Sequence, residues 1–179
     1  MNDKINNILD LNPIFKGDSK NIDFSFEFFP ECLDVTAVFE KPAKASGRVY
    51  EKAAGSYGSQ SLVMLEISLT GEYNTVCARC LEDINVPYDI KAEYAVANNL
   101  QNEEEDGILF AKAGSLDVLE VADALFSINF PAKHLCKEDC KGICQGCGNN
   151  LNETSCTCTQ KNIDPRLAVL KKLLDKSEN

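Results

Sequence analysis

Four close pairs of cysteines constrain the fold of this chain more than any other feature of its sequence. The pairs are Cys77 and Cys80, Cys136 and Cys140, Cys144 and Cys147, and Cys156 and Cys158. Cysteines at such short spacings form disulfides in an oxidising compartment, whereas in a reducing one they more often bind metal ions as thiolates. Eight thiols are enough for two tetrahedral metal sites.

The amino-terminal residues favour a reducing compartment. Residues 1–17 contain no uninterrupted apolar stretch and no small-residue cleavage site of the kind found in secretion signals. No part of the chain approaches the run of about 20 apolar residues that a membrane-spanning helix needs. We therefore expect a cytoplasmic protein without membrane contact, in which the paired cysteines bind metal.

Zinc is the ion that the cysteine spacing favours, and the last two pairs form the more compact site. A pair spaced by two residues, as in Cys144-Gln-Gly-Cys147, wraps a tight turn so that both sulfurs face one ion. Gly146 and Gly148 permit that turn and let backbone amides point at the sulfurs. The first predicted zinc site consists of Cys144, Cys147, Cys156 and Cys158.

The second predicted site joins parts of the chain that are far apart in sequence. It consists of Cys77, Cys80, Cys136 and Cys140. Two alternatives stay open: the ligands mix between pairs, or His134, the only histidine, replaces a cysteine. The number of structural zinc ions, one or two, also stays open. Cys32 lies outside the pairs and is interpreted as a small buried hydrophobic residue.

β-Branched and aromatic residues dominate the region from residue 22 to residue 96 and predict an antiparallel sheet. Partial alternation of apolar and polar residues marks five strands, at residues 24–29, 33–39, 46–51, 61–73 and 86–96. Residues 53–60 carry two glycines and are typical of a hairpin. Four consecutive acidic residues, Glu103–Asp106, predict a solvated, mobile loop, with a recognition element for a basic partner as the alternative.

Two segments have the periodicity of amphipathic helices. Residues 116–131 end at a proline and place five apolar side chains at helical spacing: Val118, Val121, Ala122, Leu125 and Ile128. Near the carboxy terminus, Asp164 and Pro165 provide an N-cap and a first helical residue for a second helix.

The expected fold class is therefore α+β, an antiparallel β-rich body with two short helices and a carboxy-terminal, cysteine-rich, zinc-ribbon-like segment. Residues 1–131 are expected to form the body, with the central C-x-x-C and one helix. Residues 132–179 are expected to form the zinc-binding segment and the carboxy-terminal helix.

The acidic character of the chain limits its partners. The sequence has 28 acidic and 18 basic residues, a formal net charge of −10. Such a surface repels phosphate backbones unless positive charge is segregated onto one face, so it disfavours sequence-blind nucleic-acid binding. A basic protein partner suits it better.

The sequence contains no recognisable catalytic motif. A single histidine excludes a His-x-x-x-His site, and the chain lacks a phosphate-binding glycine loop, a dinucleotide fingerprint and a serine nucleophile elbow. We therefore expect no enzymatic activity and no small-molecule substrate. One alternative is a thiol redox protein that uses Cys77 and Cys80, since Arg79 between them would favour a thiolate. Another is a zinc-ribbon adaptor in transcription.

Several of these elements occur in the order found in a known family. They are Cys77-Ala-Arg-Cys80-Leu81, the helix ending at Pro131, the run Cys136–Gly148, Asn150-Leu151-Asn152, Cys156-Thr-Cys158 and Asp164-Pro165-Arg166-Leu167. With these motifs the chain resembles the YceD family of bacterial and plastid proteins, which is associated with accumulation of large-subunit ribosomal RNA. Gln145 departs from the proline that relatives often carry there.

The resemblance implies a non-enzymatic ribosome biogenesis factor that supports 23S ribosomal RNA processing or accumulation, with zinc holding the fold. The expected partner is a large-subunit ribosomal protein or a precursor particle. Direct contact with 23S ribosomal RNA is the weaker form of this hypothesis. It would use a set of basic residues: Arg79, Lys141, Arg166, Lys171 and Lys172.

Overall fold

The computed structural model describes residues 7–31, 34, 36–52, 62–98 and 107–158. Contacts divide the chain into two compact units. The sheet unit comprises Met1–Val76 and Asp83–His134, and the cysteine unit comprises Cys77–Glu82 and Leu135–Asn179. The C-x-x-C turn thus groups with the carboxy-terminal cysteines. The boundary that the sequence predicts between a body of residues 1–131 and a zinc-binding segment of residues 132–179 stays a prediction.

The described residues form seven strands and two helices. In chain order they are β1 (Ile8–Asp10), α1 (Asn12–Phe15), β2 (Asn21–Phe28), β3 (Ala43–Lys52), β4 (Leu62–Val76), β5 (Asp83–Ala97), β6 (Ile108–Phe110), β7 (Ser115–Asp117) and α2 (Val118–Asn129). The main sheet has the order β2-β3-β4-β5-β6, and β1 pairs with β7 in a second, two-stranded sheet. All pairs are antiparallel except β5 with β6.

Alternation along the strands gives the main sheet one apolar and one polar face, because successive strand side chains point to opposite sides. One cross-strand row on the apolar face contains Phe26, Ala45, Leu69 and Ile90. A row on the other face contains Arg48, Glu66 and Glu93, and the Arg48 guanidinium lies 2.8 Å from the Glu66 carboxylate. The apolar face contributes to the hydrophobic core of the sheet unit.

Helix α2 buries one stripe of side chains in that core. Asp117 caps the helix, and its Oδ1 accepts hydrogen bonds from the backbone amides of Leu119 and Glu120 at 3.0 and 3.3 Å. The buried residues are Val118, Val121, Ala122, Leu125 and Phe126. The prediction for Ile128 is wrong, since that side chain is 80% exposed. At 3.6 residues per turn, Phe126 continues the stripe one turn after Ala122, and Ile128 falls at its edge.

The predicted fold class is confirmed: the described residues form antiparallel β-rich sheets, two helices and a carboxy-terminal cysteine cluster. Helix α1 was not predicted. The predicted hairpin at 53–60, the acidic run 103–106, Cys32 and the helix beginning at Asp164 lie outside the described residues. No helix in the described part of the chain is long and apolar enough to cross a membrane.

The strand predicted at residues 33–39 does not form over the residues of this segment that the structure describes. Only Val38 makes a bridge, to Asn74. Asp34 turns the backbone instead, because its Oδ1 accepts hydrogen bonds from both the amide and the hydroxyl of Thr36, each at 2.8 Å.

Two substitutions on α2 test its orientation. Leu125→Ala removes a side chain that is 4% exposed and should lower the free energy of unfolding by about 2–5 kcal/mol. Ile128→Ala makes a similar change at an exposed position and should alter the free energy by about 0.5 kcal/mol or less. Urea unfolding under reducing conditions measures both. Equal losses would contradict the described face.

Candidate metal centre

The structure gathers eight thiols into two groups of four. Cluster A contains Cys77, Cys80, Cys136 and Cys140, and cluster B contains Cys144, Cys147, Cys156 and Cys158. Within each cluster all sulfurs lie within 4.8 Å of one another. These are the same two sets of four that the spacing predicts. Either cluster could hold a metal ion.

Sulfur separations match the edge of a tetrahedron around one ion better than they match disulfides. Sulfurs at about 2.3 Å from a central zinc ion would lie about 3.8 Å apart. In cluster A, Cys77 Sγ lies 3.8 Å from Cys140 Sγ, and Cys80 Sγ lies 3.6 Å from Cys136 Sγ. In cluster B, Cys156 Sγ lies 3.3 Å from Cys144 Sγ. A disulfide would need about 2.05 Å, and the eight cysteines are free.

The first C-x-x-C turn connects β4 to β5. The Leu81 amide donates to the Cys77 carbonyl at 2.9 Å, and the Cys77 amide donates to the Glu82 carbonyl at 2.8 Å. These two bonds close the chain into a tight loop with both sulfurs on one side. The antiparallel pairing of the flanking strands continues to Val76 and Asp83, so the turn replaces an ordinary hairpin loop.

The second C-x-x-C turn repeats the first, bond for bond. The Gly148 amide donates to the Cys144 carbonyl at 2.8 Å, and the Cys144 amide donates to the Asn149 carbonyl at 2.8 Å. Gly148 has φ of 76°, and Leu81, its counterpart in the first turn, has φ of 61°. Both residues therefore adopt the left-handed conformation, which costs a residue with a Cβ roughly 1–2 kcal/mol.

Backbone amides stabilise negative charge in cluster A. Burial raises the pKa of the Cys77 thiol, but backbone amides, including those of Arg79 and Cys80, donate to its sulfur and lower the pKa to about 6. The Glu82 amide lowers the pKa of Cys80, but burial and the neighbouring thiols raise it to about 12. Four thiolates this close repel one another, so full ionisation requires a cation among them.

Cluster B has the same electrostatic arrangement. The amides of Gly146 and Cys147 donate to the Cys144 sulfur and lower its pKa to about 6. The Gly146 nitrogen lies 3.4 Å from that sulfur. The Cys158 amide lowers the pKa of the Cys156 thiol, but the neighbouring thiols raise it to about 12. A bound cation would take the place of the protons that remain.

Sulfur occupies the interior of the cysteine unit. Among its described residues, 77–82 and 135–158, the buried ones are Cys77, Cys80, Cys140, Gly142 and Cys144. No other apolar side chain in those ranges is buried. The described part of this unit therefore has no hydrocarbon core, and its cohesion depends on the cysteines and the hydrogen bonds around them.

Two asparagines support cluster A, and neither was predicted as a functional residue. The Asn152 side-chain amide donates to Cys140 Sγ at 3.2 Å and lowers the pKa of that thiol. Asn152 Oδ1 accepts from the Lys141 amide at 2.9 Å, and Asn150 donates to the Glu82 carboxylate at 2.6 Å. The sequence feature that could have indicated them is the Asn-Leu-Asn motif directly after the second C-x-x-C turn.

The predicted basic contact residues have different surroundings. The Arg79 guanidinium donates to the carbonyls of Cys140 and Glu138 at 2.9 and 3.3 Å, so it connects the two halves of cluster A. Lys141 is exposed. The remaining three lie outside the described residues: Arg166, Lys171 and Lys172.

The only histidine belongs to the core of the sheet unit and to neither cluster. Its side chain is about 6% exposed, and its Nδ1 lies 3.4 Å from the Tyr73 hydroxyl. Its ring also packs edge-on against Tyr73 and Phe130. The alternative in which His134 replaces a cysteine ligand therefore gains no support.

The surroundings of Cys77 and Cys80 disfavour a two-thiol redox centre. A redox C-x-x-C pair normally begins a helix and exposes its nucleophilic sulfur. Here the pair lies in a turn between strands, both residues are buried, and each sulfur faces one from the second half of cluster A.

Comparison with known proteins identifies a family and a relative to which this chain is similar. Residues 65–174, more than half of the chain, match the family described as large ribosomal RNA subunit accumulation protein YceD. The chain belongs to the YceD family. The matched residues include both cysteine clusters and α2.

A curated relative has no described function. The uncharacterised protein YlbN of Bacillus subtilis strain 168, also a YceD family protein, is 25% identical over 118 residues, which cover 65% of this chain and 69% of that protein. No solved structure matches the chain. The YceD family assignment therefore depends on the family match over residues 65–174.

Leu81 and Gly148 provide a matched test of the turn geometry. Nothing lies within 4 Å of a Cβ placed at Gly148, so Gly148→Ala should cost about 1–2 kcal/mol from its left-handed backbone alone. Leu81 is 62% exposed, so Leu81→Gly should leave stability unchanged or raise it by up to about 1 kcal/mol, as relieved strain offsets added chain entropy. Thermal unfolding measures both. Destabilisation by Leu81→Gly would contradict the shared geometry.

Proposed function

We propose that the chain is a non-enzymatic biogenesis factor of the large ribosomal subunit, which supports 23S ribosomal RNA processing or accumulation. Membership of the YceD family, described by large ribosomal RNA subunit accumulation, carries this proposal. In its first form the factor binds a large-subunit ribosomal protein or a precursor particle. It acts where ribosomes are assembled, in the cytoplasm.

Zinc is the ion proposed for both clusters. Four thiolate ligands at tetrahedral spacing suit zinc, which has no redox chemistry and favours four-coordinate sulfur sites. Such a site has no open position for water or substrate, which supports a structural role and the absence of catalysis. The ions would neutralise part of the thiolate charge in a unit whose buried interior is sulfur.

Cluster A would cross-link the first turn to the segment that begins at Cys136. Without the ion, repulsion among the thiolates would oppose that contact, and only hydrogen bonds such as that of Arg79 to the Cys140 carbonyl would maintain it. Metal binding and folding of the cysteine unit are therefore coupled in this proposal.

The acidic composition supports a basic protein as the direct partner. The net charge of −10 becomes more negative as thiolates replace thiols, so attraction to a basic ribosomal protein is stronger than attraction to RNA. Both described basic candidates, Arg79 and Lys141, are exposed, but the Arg79 guanidinium already donates to two carbonyl groups of its own unit.

Metal analysis tests the structural proposal. The purified chain should contain two zinc ions, one for each cluster, by mass spectrometry under native conditions. Cys140→Ser should reduce this to one ion, because a serine oxygen is a poor substitute for a thiolate at a four-sulfur site. Cys32→Ser is the matched control and should retain two ions. Two ions in the Cys140→Ser protein would exclude cluster A as proposed.

Affinity capture from cells tests the ribosomal role. The tagged chain should recover 23S precursor RNA and large-subunit proteins at low salt, and a basic ribosomal protein should remain after high salt removes the RNA. Lys141→Ala combined with Arg166→Ala, Lys171→Ala and Lys172→Ala should leave protein capture intact. Loss of all capture in this variant would favour direct RNA contact, and recovery of no ribosomal component from the unmodified chain would refute the proposal.

A further inference from the structure

The two clusters differ in their exposure to solvent. In cluster A, Cys77, Cys80 and Cys140 are 0, 5 and 3% exposed, whereas Cys136 is exposed. In cluster B only Cys144 is buried, at 4%, whereas Cys147 and Cys158 are exposed and Cys156 is half-buried. A small water-borne reagent therefore reaches most of the sulfurs of cluster B and few of those of cluster A.

Two accessible sulfurs of cluster B lie close enough to be joined. Cys147 Sγ and Cys156 Sγ are 3.4 Å apart, and a disulfide requires about 2.05 Å, so they must approach by about 1.4 Å. Cys156 lies in residues 155–158, which form no helix or strand, so few backbone hydrogen bonds oppose this movement. In cluster A, Cys136 is exposed, but the sulfur that it faces at 3.6 Å belongs to the buried Cys80. Cys77 and Cys140, 3.8 Å apart, are both buried.

We propose that cluster B is a peroxide-sensitive site, in which oxidation of Cys147 and Cys156 to a disulfide releases the metal ion while cluster A retains its own. This inference extends the proposed function at the same metal centre. It rests on one part of that proposal, namely that each cluster binds an ion. It does not depend on the ribosomal partner.

The chemistry requires hydrogen peroxide or another small peroxide as the oxidant. The Cys147 thiolate attacks one peroxide oxygen, the O–O bond breaks, and a sulfenic acid forms as the other oxygen leaves as water after taking up protons. The Cys156 thiolate then attacks the Cys147 sulfur, forms the S–S bond and expels the second oxygen, also as water. The two thiolates lose two electrons, the peroxide gains two, and two protons come from solvent.

Removal of two ligands leaves Cys144 and Cys158 as the only thiolates of cluster B, too few to retain zinc. The neighbouring chain stays attached to cluster A, since Asn152 donates to Cys140 Sγ and the Leu151 amide donates to the Gly142 carbonyl at 2.8 Å. Oxidation therefore opens the segment after Asn152 and leaves the first turn in place. A thiol reductant and zinc restore the site.

Titration of the zinc-loaded full chain with hydrogen peroxide tests this inference. A chromogenic chelator follows zinc release, and digestion without reduction maps the disulfide. Cleavage after Lys141, Glu153 and Lys161 separates Cys144 and Cys147 from Cys156 and Cys158, and cleavage after Arg79 and Lys137 separates the thiols of cluster A. One of the two ions should leave at least about tenfold faster than the other, with a Cys147–Cys156 disulfide.

Two variants keep the outcome interpretable. Cys140→Ser removes the slow ion and should leave the fast phase unchanged, whereas Cys147→Ser should abolish both the fast phase and the disulfide. Release of both ions at one rate, or oxidation of cluster A first, overturns the inference. A chain that binds no zinc refutes the metal proposal instead, and peroxide mapping of the metal-free chain then still decides whether Cys147 and Cys156 oxidise preferentially.

Discussion

The cysteine unit can bring its thiols together as thiolates only if the repulsion among them is offset. Its buried interior is made of sulfur and one glycine in the described ranges, so the hydrophobic effect that holds the sheet unit contributes little here. Backbone amides lower the pKa of Cys77 and of Cys144 to about 6, and thereby favour thiolates. The same amides cannot neutralise four charges, so full ionisation of a cluster would require a cation, which either cluster could hold.

The two units illustrate different ways to order a chain of this size. In the sheet unit, alternation along β3, β4 and β5 buries one face, and α2 adds its apolar stripe to the same core. In the cysteine unit, short turns with repeated hydrogen bonds bring ligands together, and Arg79 and Asn152 bind the groups between them. Side chains that appear suited to recognition can therefore be structural, as the Arg79 guanidinium is.

Much of the fold and the four close pairs of cysteines could be predicted from the sequence, because both depend on local spacing. The period of α2 and the C-x-x-C pairs are signals within a few residues. Three features could not be predicted in this way. Ile128 fits the helical period but lies outside the stripe that the core covers. Asp34 turns a segment with strand-like composition. Leu81 adopts a left-handed backbone conformation, which a leucine side chain does not predict.

The two clusters close chain loops of different length. Cys144 and Cys156 are 12 residues apart, whereas Cys77 and Cys140 are 63 apart, and closing the longer loop costs about 1.5 kcal/mol more in chain entropy. During synthesis at about 5–20 residues per second, the first turn waits roughly 3 to 13 seconds before Cys140 is made. Cys77 and Cys80 are thus exposed while the chain is being made, although both are buried in the finished protein.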